Sequence, residues 1–352
     1  MILDIIKVFA PVTVSFFIGM ALTPILTHYL YKHKMWKKKV KSVAIDGRAT
    51  PVFTKLHAGK EVGTPRMGGI IVWASAIATI LLFWILAMAF PNDLLFEKMN
   101  FLSRGQTWLP LFTFFIGALV GLLDDYFEIN ESSDYFAGGL SLKKRLFIVL
   151  ILSLIGGYWF FFKLGVSTIA IPFFGELALG SFFIPFFALV MLFIYSGGII
   201  DGIDGLSGGV FATIFSAYGL IAFLQNQIDL AALSFVVVGS LLAFLWFNIP
   251  PARFYMSETG TMALTLLLTV VAFLTKQVGV LPIIAFPLVA TTLSAIINVT
   301  SKKFRGGKKV FLSTPIHHHF EAIGWPGYKV AMRYWVISVV AAIIGLIIAL
   351  IG

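Results

Sequence analysis

The chain contains no cysteine, and only 12% of its 352 residues are charged. The absence of thiols excludes disulfide bonds and thiolate metal sites, so a bound metal ion would need oxygen or imidazole ligands. Sparse charge, 59% hydrophobic residues and a mean hydropathy of +0.97 exclude an ordinary soluble globular domain. Most of the chain is therefore predicted to lie in lipid.

Apolar runs long enough to span a bilayer recur along the whole sequence, since one helical span needs about 20 residues. We predict an all-α, polytopic integral membrane protein with ten transmembrane helices, forming a single catalytic domain over residues 1–352. The runs lie near residues 8–31, 68–90, 107–123, 146–163, 181–199, 207–225, 229–248, 259–275, 279–298 and 332–351. β-Branched residues and a Pro-x-x-Gly turn predict a short external β-hairpin near 164–180.

Basic residues are concentrated on one side of the predicted spans. Of the 26 Lys and Arg residues, 21 lie on that side or at its borders. The segments concerned are 32–67, 124–145, 200–206, 249–258 and 299–331. Because short cytoplasmic loops carry an excess of Lys and Arg, we predict that this side is cytoplasmic and that both termini face outward. The net charge of +10 then indicates orientation and contact with membrane lipids, and we expect no nucleic-acid partner.

Two acidic motifs lie on the same side. Asp124 and Asp125 end the third span, and adjacent carboxylates are costly near hydrocarbon without a cation or proton donor. Asp201 and Asp204 are three residues apart in a glycine-rich loop, which a nucleotide or metal ion can approach closely. Taken alone, the first pair also fits an interfacial helix stop, and the second fits a glycine-rich turn between spans.

Two further segments on this side are rich in prolines, glycines and polar groups. In 248–260, prolines end one span and Glu258 opens the next, where a carboxylate suits a helix N terminus whether or not it binds a ligand. In 57–69, backbone amides, Thr64 and the basic side chains, among them Lys60, are suited to phosphate binding ahead of the second span, although the segment also fits a simple basic flank.

The last cluster consists of His317, His318 and His319. Consecutive residues point in different directions, so anion contact, proton transfer or helix orientation fits better than joint binding of one metal ion. Five polar clusters on one membrane face indicate a common site. Their chemistry suits attack of an anionic oxygen on a phosphoanhydride, with Mg²⁺ neutralising the phosphates.

Five ordered motifs carry a resemblance to a known family. They are GTPRMGG at 63–69, DD at 124–125, DGIDGLSGG at 201–209, FNIPPARFYMSETG at 247–260 and TPIHHHFEAIGW at 314–325. Together they resemble the bacterial phospho-N-acetylmuramoyl-pentapeptide transferases. HHHFE followed by GW favours this branch, because related polyprenyl-phosphate N-acetylhexosamine-1-phosphate transferases usually carry a differently spaced histidine motif.

The resemblance implies ten transmembrane helices, commonly a homodimer, in the bacterial cytoplasmic membrane with the active site on the cytoplasmic face. It implies Mg²⁺-dependent transfer of phospho-MurNAc-pentapeptide from UDP-MurNAc-pentapeptide to undecaprenyl phosphate, giving lipid I and UMP. The alternative is transfer of N-acetylhexosamine-1-phosphate for another envelope glycan. A transporter or lipid-binding membrane protein is the non-enzyme alternative, which the position of the acids at span ends disfavours.

The resemblance also implies roles for individual residues. The candidate catalytic residues are Asp124, Asp125, Asp201, His317, His318 and His319, the candidate substrate-binding residues are Lys60, Thr64, Asp204, Asn248 and Tyr255, and the candidate metal ligands are Glu258 and Asp201.

Three positions depart from the family's pattern. Glu128 stands where a lysine is expected, and Gly198 where an asparagine is expected. Glu258 follows Ser257, where the family has aspartate after glycine. These departures leave donor preference, metal affinity and the level of activity open.

Overall fold

The computed structural model describes residues 2–38, 62–103, 105–130 and 139–352, in which thirteen α-helices dominate. The helices are α1 (Ile2–Lys32), α2 (Gly69–Ala89), α3 (Leu94–Met99), α4 (Trp108–Ile129), α5 (Leu142–Tyr158), α6 (Phe183–Ser196), α7 (Leu206–Leu224), α8 (Ile228–Asn248), α9 (Ser257–Leu274), α10 (Leu281–Ile284), α11 (Phe286–Phe304), α12 (Ile316–Ala322) and α13 (Gly327–Ile351). A π-helical turn, Trp159–Lys163, extends α5, and 3₁₀ turns occupy Gly180–Phe182, Gly197–Ile200 and Val278–Val280.

Nine helices within the described ranges are long and apolar enough to cross a membrane, and a bent pair forms a tenth candidate span. The predicted all-α polytopic class is therefore confirmed. The ninth predicted run, 279–298, is broken, because Val278–Ile284 and Phe286–Phe304 meet at 79°. Pro287 lies in the first turn of α11. Proline suits the start of a helix but has no N–H to donate to a preceding turn, so the helix restarts at this point.

The predicted hairpin is also confirmed. β1 (Thr168–Ile171) pairs antiparallel with β2 (Gly175–Ala178), with Ile171 opposite Gly175. The hairpin follows α5 and its π-helical turn, so it lies at the far end of the bundle from the start of α5. A β-carbon added at Gly279 would come within 2.7 Å of the Ala170 carbonyl oxygen, which shows that the hairpin rests on the start of the bent span.

The centre of the bundle is formed by α7, α8 and α9. Within its most apolar stretch, α9 is 89% buried, whereas α1 is 22% buried and α13 is 28% buried. Small residues allow the helices to approach closely, which is the main source of helix association in lipid. A β-carbon at Gly19 of α1 would lie 2.6 Å from the β-carbon of Ala243 on α8.

A row of glycines brings α4 against α9. Gly117 and Gly121 are four residues apart and therefore share one face of α4. A β-carbon at Gly117 would lie 2.9 Å from the Ala263 α-carbon, and one at Gly121 would lie 2.8 Å from the Thr259 nitrogen. This backbone contact places the last turns of α4 beside the first turn of α9.

Replacement of Gly121 by alanine is expected to destabilise the protein by about 1–3 kcal/mol, because the added methyl group overlaps the backbone of α9. Thermal unfolding in detergent measures the loss. Gly105→Ala is the matched control, since a β-carbon there meets nothing within 4 Å. Equal unfolding temperatures for the two variants would contradict the close contact between α4 and α9.

Candidate active site

The first turn of α9 binds two aspartates from other segments. Asp201, between α6 and α7, accepts hydrogen bonds from the Ser257 N–H at 2.7 Å and the Ser207 hydroxyl at 2.6 Å. Asp125, on α4, accepts from the N–H of Thr259 at 2.9 Å and from its hydroxyl at 2.5 Å. Unpaired N–H groups and the helix dipole both stabilise carboxylates at this position. The N terminus of α9 therefore joins two acidic motifs that are distant in sequence.

The two adjacent aspartates face different partners. Asp124 accepts a 2.6 Å hydrogen bond from the Leu140 N–H, and its other oxygen lies 3.6 Å from Arg145 Nη1. Asp125 is fully buried, and its Oδ1 lies 3.8 Å from Arg66 Nη1. Among the described residues, this oxygen has no hydrogen-bond donor. Each carboxylate thus has its own arginine, which offsets the repulsion between the two acids.

Both arginines also contact a glutamate. Arg145 forms a close ion pair with Glu258, and Arg66 forms one with Glu128. Lys37 adds a second cation to Glu128, with 2.7 Å between Nζ and Oε1. The unexpected acid at position 128 is therefore paired with basic residues from other segments of the chain.

The loop at 201–205 is held by α8 and α13. Gly205, at a left-handed φ of +77°, donates its N–H to Asn248 Oδ1 at 2.9 Å and accepts a hydrogen bond from Trp335 Nε1 at 3.0 Å. The other end of the Asn248 amide donates to the Phe254 carbonyl at 2.8 Å. Asn248 thus joins this loop to the loop before α9, while its predicted contact with a nucleoside stays a prediction.

Thr64, Tyr255 and Asp204 are close to this junction. The Tyr255 N–H donates to the Pro65 carbonyl at 2.9 Å, and its hydroxyl faces Thr64. Burial, reinforced by the charge of Asp204, raises the pKa of Tyr255 to about 12, so the phenol is neutral at physiological pH. Asp204 itself accepts a 3.4 Å hydrogen bond from the Ala252 N–H.

His317 and His318 lie over Gly202 of the same loop. A β-carbon there would be 2.6 Å from His317 Nε2 and 2.7 Å from His318 Nε2, so a side chain at position 202 would displace both rings. Glu321 contacts His318 Nδ1 at 2.7 Å and orients the ring. His319 points elsewhere, because its Nδ1 accepts a backbone N–H from the segment before α12 at 3.2 Å.

The start of α9 provides oxygen ligands suited to a hard cation. Asp201 binds the N–H of Ser257, the residue before Glu258, and the Glu258 carboxylate itself pairs with Arg145. Burial raises the pKa of Asp201, and a nearby cation would favour its ionised form. In the described ranges no three acids or histidines converge into a protein-only cage. Mg²⁺ generally uses one or two carboxylates and completes its shell with water and phosphate oxygens, so this donor set fits it.

Most of the predicted site residues gather at one end of the bundle. They are Thr64, Asp124, Asp125, Asp201, Asp204, Asn248, Tyr255, Glu258, His317 and His318. Lys60 lies outside the described residues. Sequence reasoning did not single out Arg66, Arg145 or Lys37. Their sequence signals were their place in the basic segments of one membrane side and, for Arg66, its position within GTPRMGG, in a segment whose basic side chains suit phosphate binding.

Known proteins resemble this chain over most of its length. Residues 107–276 match the family described as glycosyl transferase family 4. A phospho-N-acetylmuramoyl-pentapeptide-transferase of Listeria innocua is 35% identical over 295 residues, which cover 82% of this chain and 85% of the relative. The enzymes of that name from Anoxybacillus flavithermus and Bacillus mycoides are each 34% identical, over 94% and 95% of both chains respectively. The similarity therefore extends well beyond the segment that the family match covers.

Replacement of Ser257 by glycine is expected to stabilise the protein by about 1 kcal/mol, because Ser257 has a left-handed φ of +57°, which is costly for a residue with a β-carbon. Its hydroxyl has no hydrogen-bond partner in the described part of the chain, and the N–H that binds Asp201 remains. Denaturant unfolding in detergent measures the change. Ser257→Ala, which keeps the β-carbon, is the control, and equal stability of the two variants would rule out backbone strain as the cause.

Proposed function

The chain belongs to the phospho-N-acetylmuramoyl-pentapeptide transferase family, and from this premise we propose that it transfers phospho-MurNAc-pentapeptide from UDP-MurNAc-pentapeptide to undecaprenyl phosphate. The products are lipid I, an intermediate of peptidoglycan biosynthesis, and UMP. The observation that carries the proposal is the meeting of Asp125 and Asp201 at one helix N terminus. Basic side chains and two histidines surround the same junction.

The reaction joins two anions. An oxygen of the lipid phosphate attacks the phosphorus attached to the sugar, and the bond from that phosphorus to the oxygen of UMP breaks. The attacking oxygen is largely ionised at neutral pH, so the site must mainly align the substrates and stabilise the charge on the leaving phosphate. Arginines, histidines and helix N termini are suited to both tasks.

We place the lipid phosphate near Asp124 and Asp125, and the uridine diphosphate beside the loop at 201–205. His318, oriented by Glu321, directs Nε2 toward that loop as a hydrogen-bond partner for phosphate or sugar oxygens. His317 is packed beside it, with 4.4 Å between ring centroids. The site therefore separates the acidic side, where the acceptor binds, from the loop, where the donor binds.

We further propose that Glu258 and Asp201 hold Mg²⁺, which would neutralise negative charge on the transferring and leaving phosphates. Glu258 shares its carboxylate with Arg145. The guanidinium therefore limits how strongly the carboxylate attracts a cation.

The setting of the site is also proposed. The basic segments indicate that the polar end of the bundle faces the cytoplasm of a bacterium and that the protein lies in the cytoplasmic membrane. We also propose that residues 1–352 form a single catalytic domain and that the protein is a homodimer.

Purified protein in detergent is expected to release UMP from UDP-MurNAc-pentapeptide when undecaprenyl phosphate and Mg²⁺ are present. Asp125→Asn should lower turnover by about 10²-fold or more, because it removes the buried carboxyl group at the junction. Asp229→Asn, at the opposite end of the bundle, is the matched control. No release with this donor would refute the proposal, and release only from a UDP-N-acetylhexosamine would support the alternative transferase.

Removal of divalent cations with EDTA is expected to stop UMP release, and added Mg²⁺ should restore it. Glu258→Gln should raise the Mg²⁺ concentration for half-maximal activity about tenfold or more, because it weakens a metal ligand. Electron paramagnetic resonance of Mn²⁺ measures the same affinity without turnover. Unchanged Mn²⁺ binding in Glu258→Gln would remove this residue from the metal site.

A further inference from the structure

Glu128, near the end of α4, is enclosed by cations from two segments that precede α2. Lys37 lies 2.7 Å from one carboxylate oxygen, and Arg66 pairs with the other. Only 11% of the Glu128 side chain is exposed. Nearly buried ion pairs of this kind lose much of their hydration, so they persist only where both charges have good partners. Glu128 therefore links Lys37 and Arg66 at one buried carboxylate.

Arg66 connects this ion pair to the buried acid of the site. Its Nη1 contacts Glu128 and lies 3.8 Å from Asp125 Oδ1. Asp125 is fully buried, whereas 21% of the Arg66 side chain is exposed. An anion that approaches Asp125 at this point therefore meets the guanidinium and not the carboxylate.

The backbone around Arg66 is also fixed. The Arg66 N–H donates to the Met35 carbonyl at 2.8 Å, and the Pro65 carbonyl accepts from the Tyr255 N–H at 2.9 Å. The Gly68 N–H donates to the Tyr255 carbonyl at 2.8 Å. Arg66 is thus tied to the end of α1 and to the loop before α9, so its guanidinium starts from a defined position.

The balance of charge explains why a cation is needed here. Among the described residues, Asp124, Asp125, Glu128 and Glu258 are four carboxylates, and the described cations paired with them are Lys37, Arg66 and Arg145. Loss of Arg66 would remove the cation beside Asp125, so a phosphate would meet less positive charge at this point.

We propose that Arg66 binds a substrate phosphate beside Asp125, and that Glu128 and Lys37 are positioning residues that hold its guanidinium there. The inference rests on the proposed phosphotransfer between two phosphate-bearing substrates. Either the lipid phosphate or the diphosphate of the nucleotide has the required chemistry. A planar guanidinium suits both, because it donates two parallel hydrogen bonds to phosphate oxygens.

The test is a kinetic series with Arg66→Gln, Arg66→Lys, Glu128→Gln and the double variant Arg66→Gln/Glu128→Gln, with each substrate varied in turn in mixed micelles. Arg66→Gln should raise KM for the substrate it binds about tenfold or more and change kcat less. Arg66→Lys should raise KM less than Arg66→Gln does, because lysine keeps the positive charge but lacks the two parallel donors of the guanidinium. A rise confined to undecaprenyl phosphate assigns Arg66 to the acceptor, and one confined to the nucleotide assigns it to the donor.

The double variant tests the positioning role of Glu128. If Glu128 acts through Arg66, Glu128→Gln should raise the same KM, and the double variant should be no worse than Arg66→Gln alone. Additive losses would overturn this part of the proposal. Unchanged KM values for both substrates in Arg66→Gln would overturn the whole.

A matched ion pair provides the control. Lys7 and Asp229 join α1 to α8 at the opposite end of the bundle, with 2.5 Å between Nζ and Oδ1. Lys7→Gln should lower the unfolding temperature without altering KM for either substrate. If Arg66→Gln also lowers the unfolding temperature and leaves both KM values unchanged, Arg66 stabilises the fold and does not bind substrate. Titration calorimetry of undecaprenyl phosphate and of UDP, with wild-type protein and Arg66→Gln, measures binding without turnover. A failure of the transferase assay is thereby distinguished from a failure of this inference.

Discussion

The unpaired N–H groups at the start of α9 are the constraint around which the site is organised. A helix leaves its first N–H groups without intrahelical partners, and burial inside a bundle removes the water that would otherwise satisfy them. Ser257 and Thr259 donate to Asp201 and Asp125, respectively. Because the aspartates come from different segments, this one requirement brings α4 and the loop before α7 to the same point. The hydrogen bonds that cap α9 therefore also bring the residues of the site together.

The carboxylates reach the start of α9 only because the backbones of α2 and α4 contact the backbone of α9 directly. Gly121 lets α4 lie against the Glu258–Thr259 peptide. Gly69 does the same for the start of α2, because a β-carbon added at Gly69 would lie only 2.5 Å from the Gly260 α-carbon. Larger side chains at these positions would separate the helices, and the short hydrogen bonds of the aspartates would then be lost. Small residues in the bundle thus determine the geometry of charged residues at its end.

Periodicity and composition predicted the spans and the hairpin because these features depend on local sequence. The break after Ile284 was missed, since hydropathy is continuous across it and Pro287 is equally compatible with a new helix start. Motif residues such as Asp125 were identifiable by type. The contact between Arg66 and Glu128 could not be identified from the sequence, because a pairing across 62 positions depends on how the helices pack.

The acid at position 128 shows how a site can keep its charge balance while the source of the charge changes. A lysine on α4 would have carried its positive charge on the same helix as Asp125. Here α4 carries a further carboxylate, and the positive charge comes from Arg66 and Lys37. A cation supplied by another segment is near Asp125 only when that segment is docked, and Arg66 is docked through the Met35 and Tyr255 backbone. In this chain the positive charge beside Asp125 therefore depends on how the segments pack together. A lysine on α4 would have provided that charge from the same helix as Asp125.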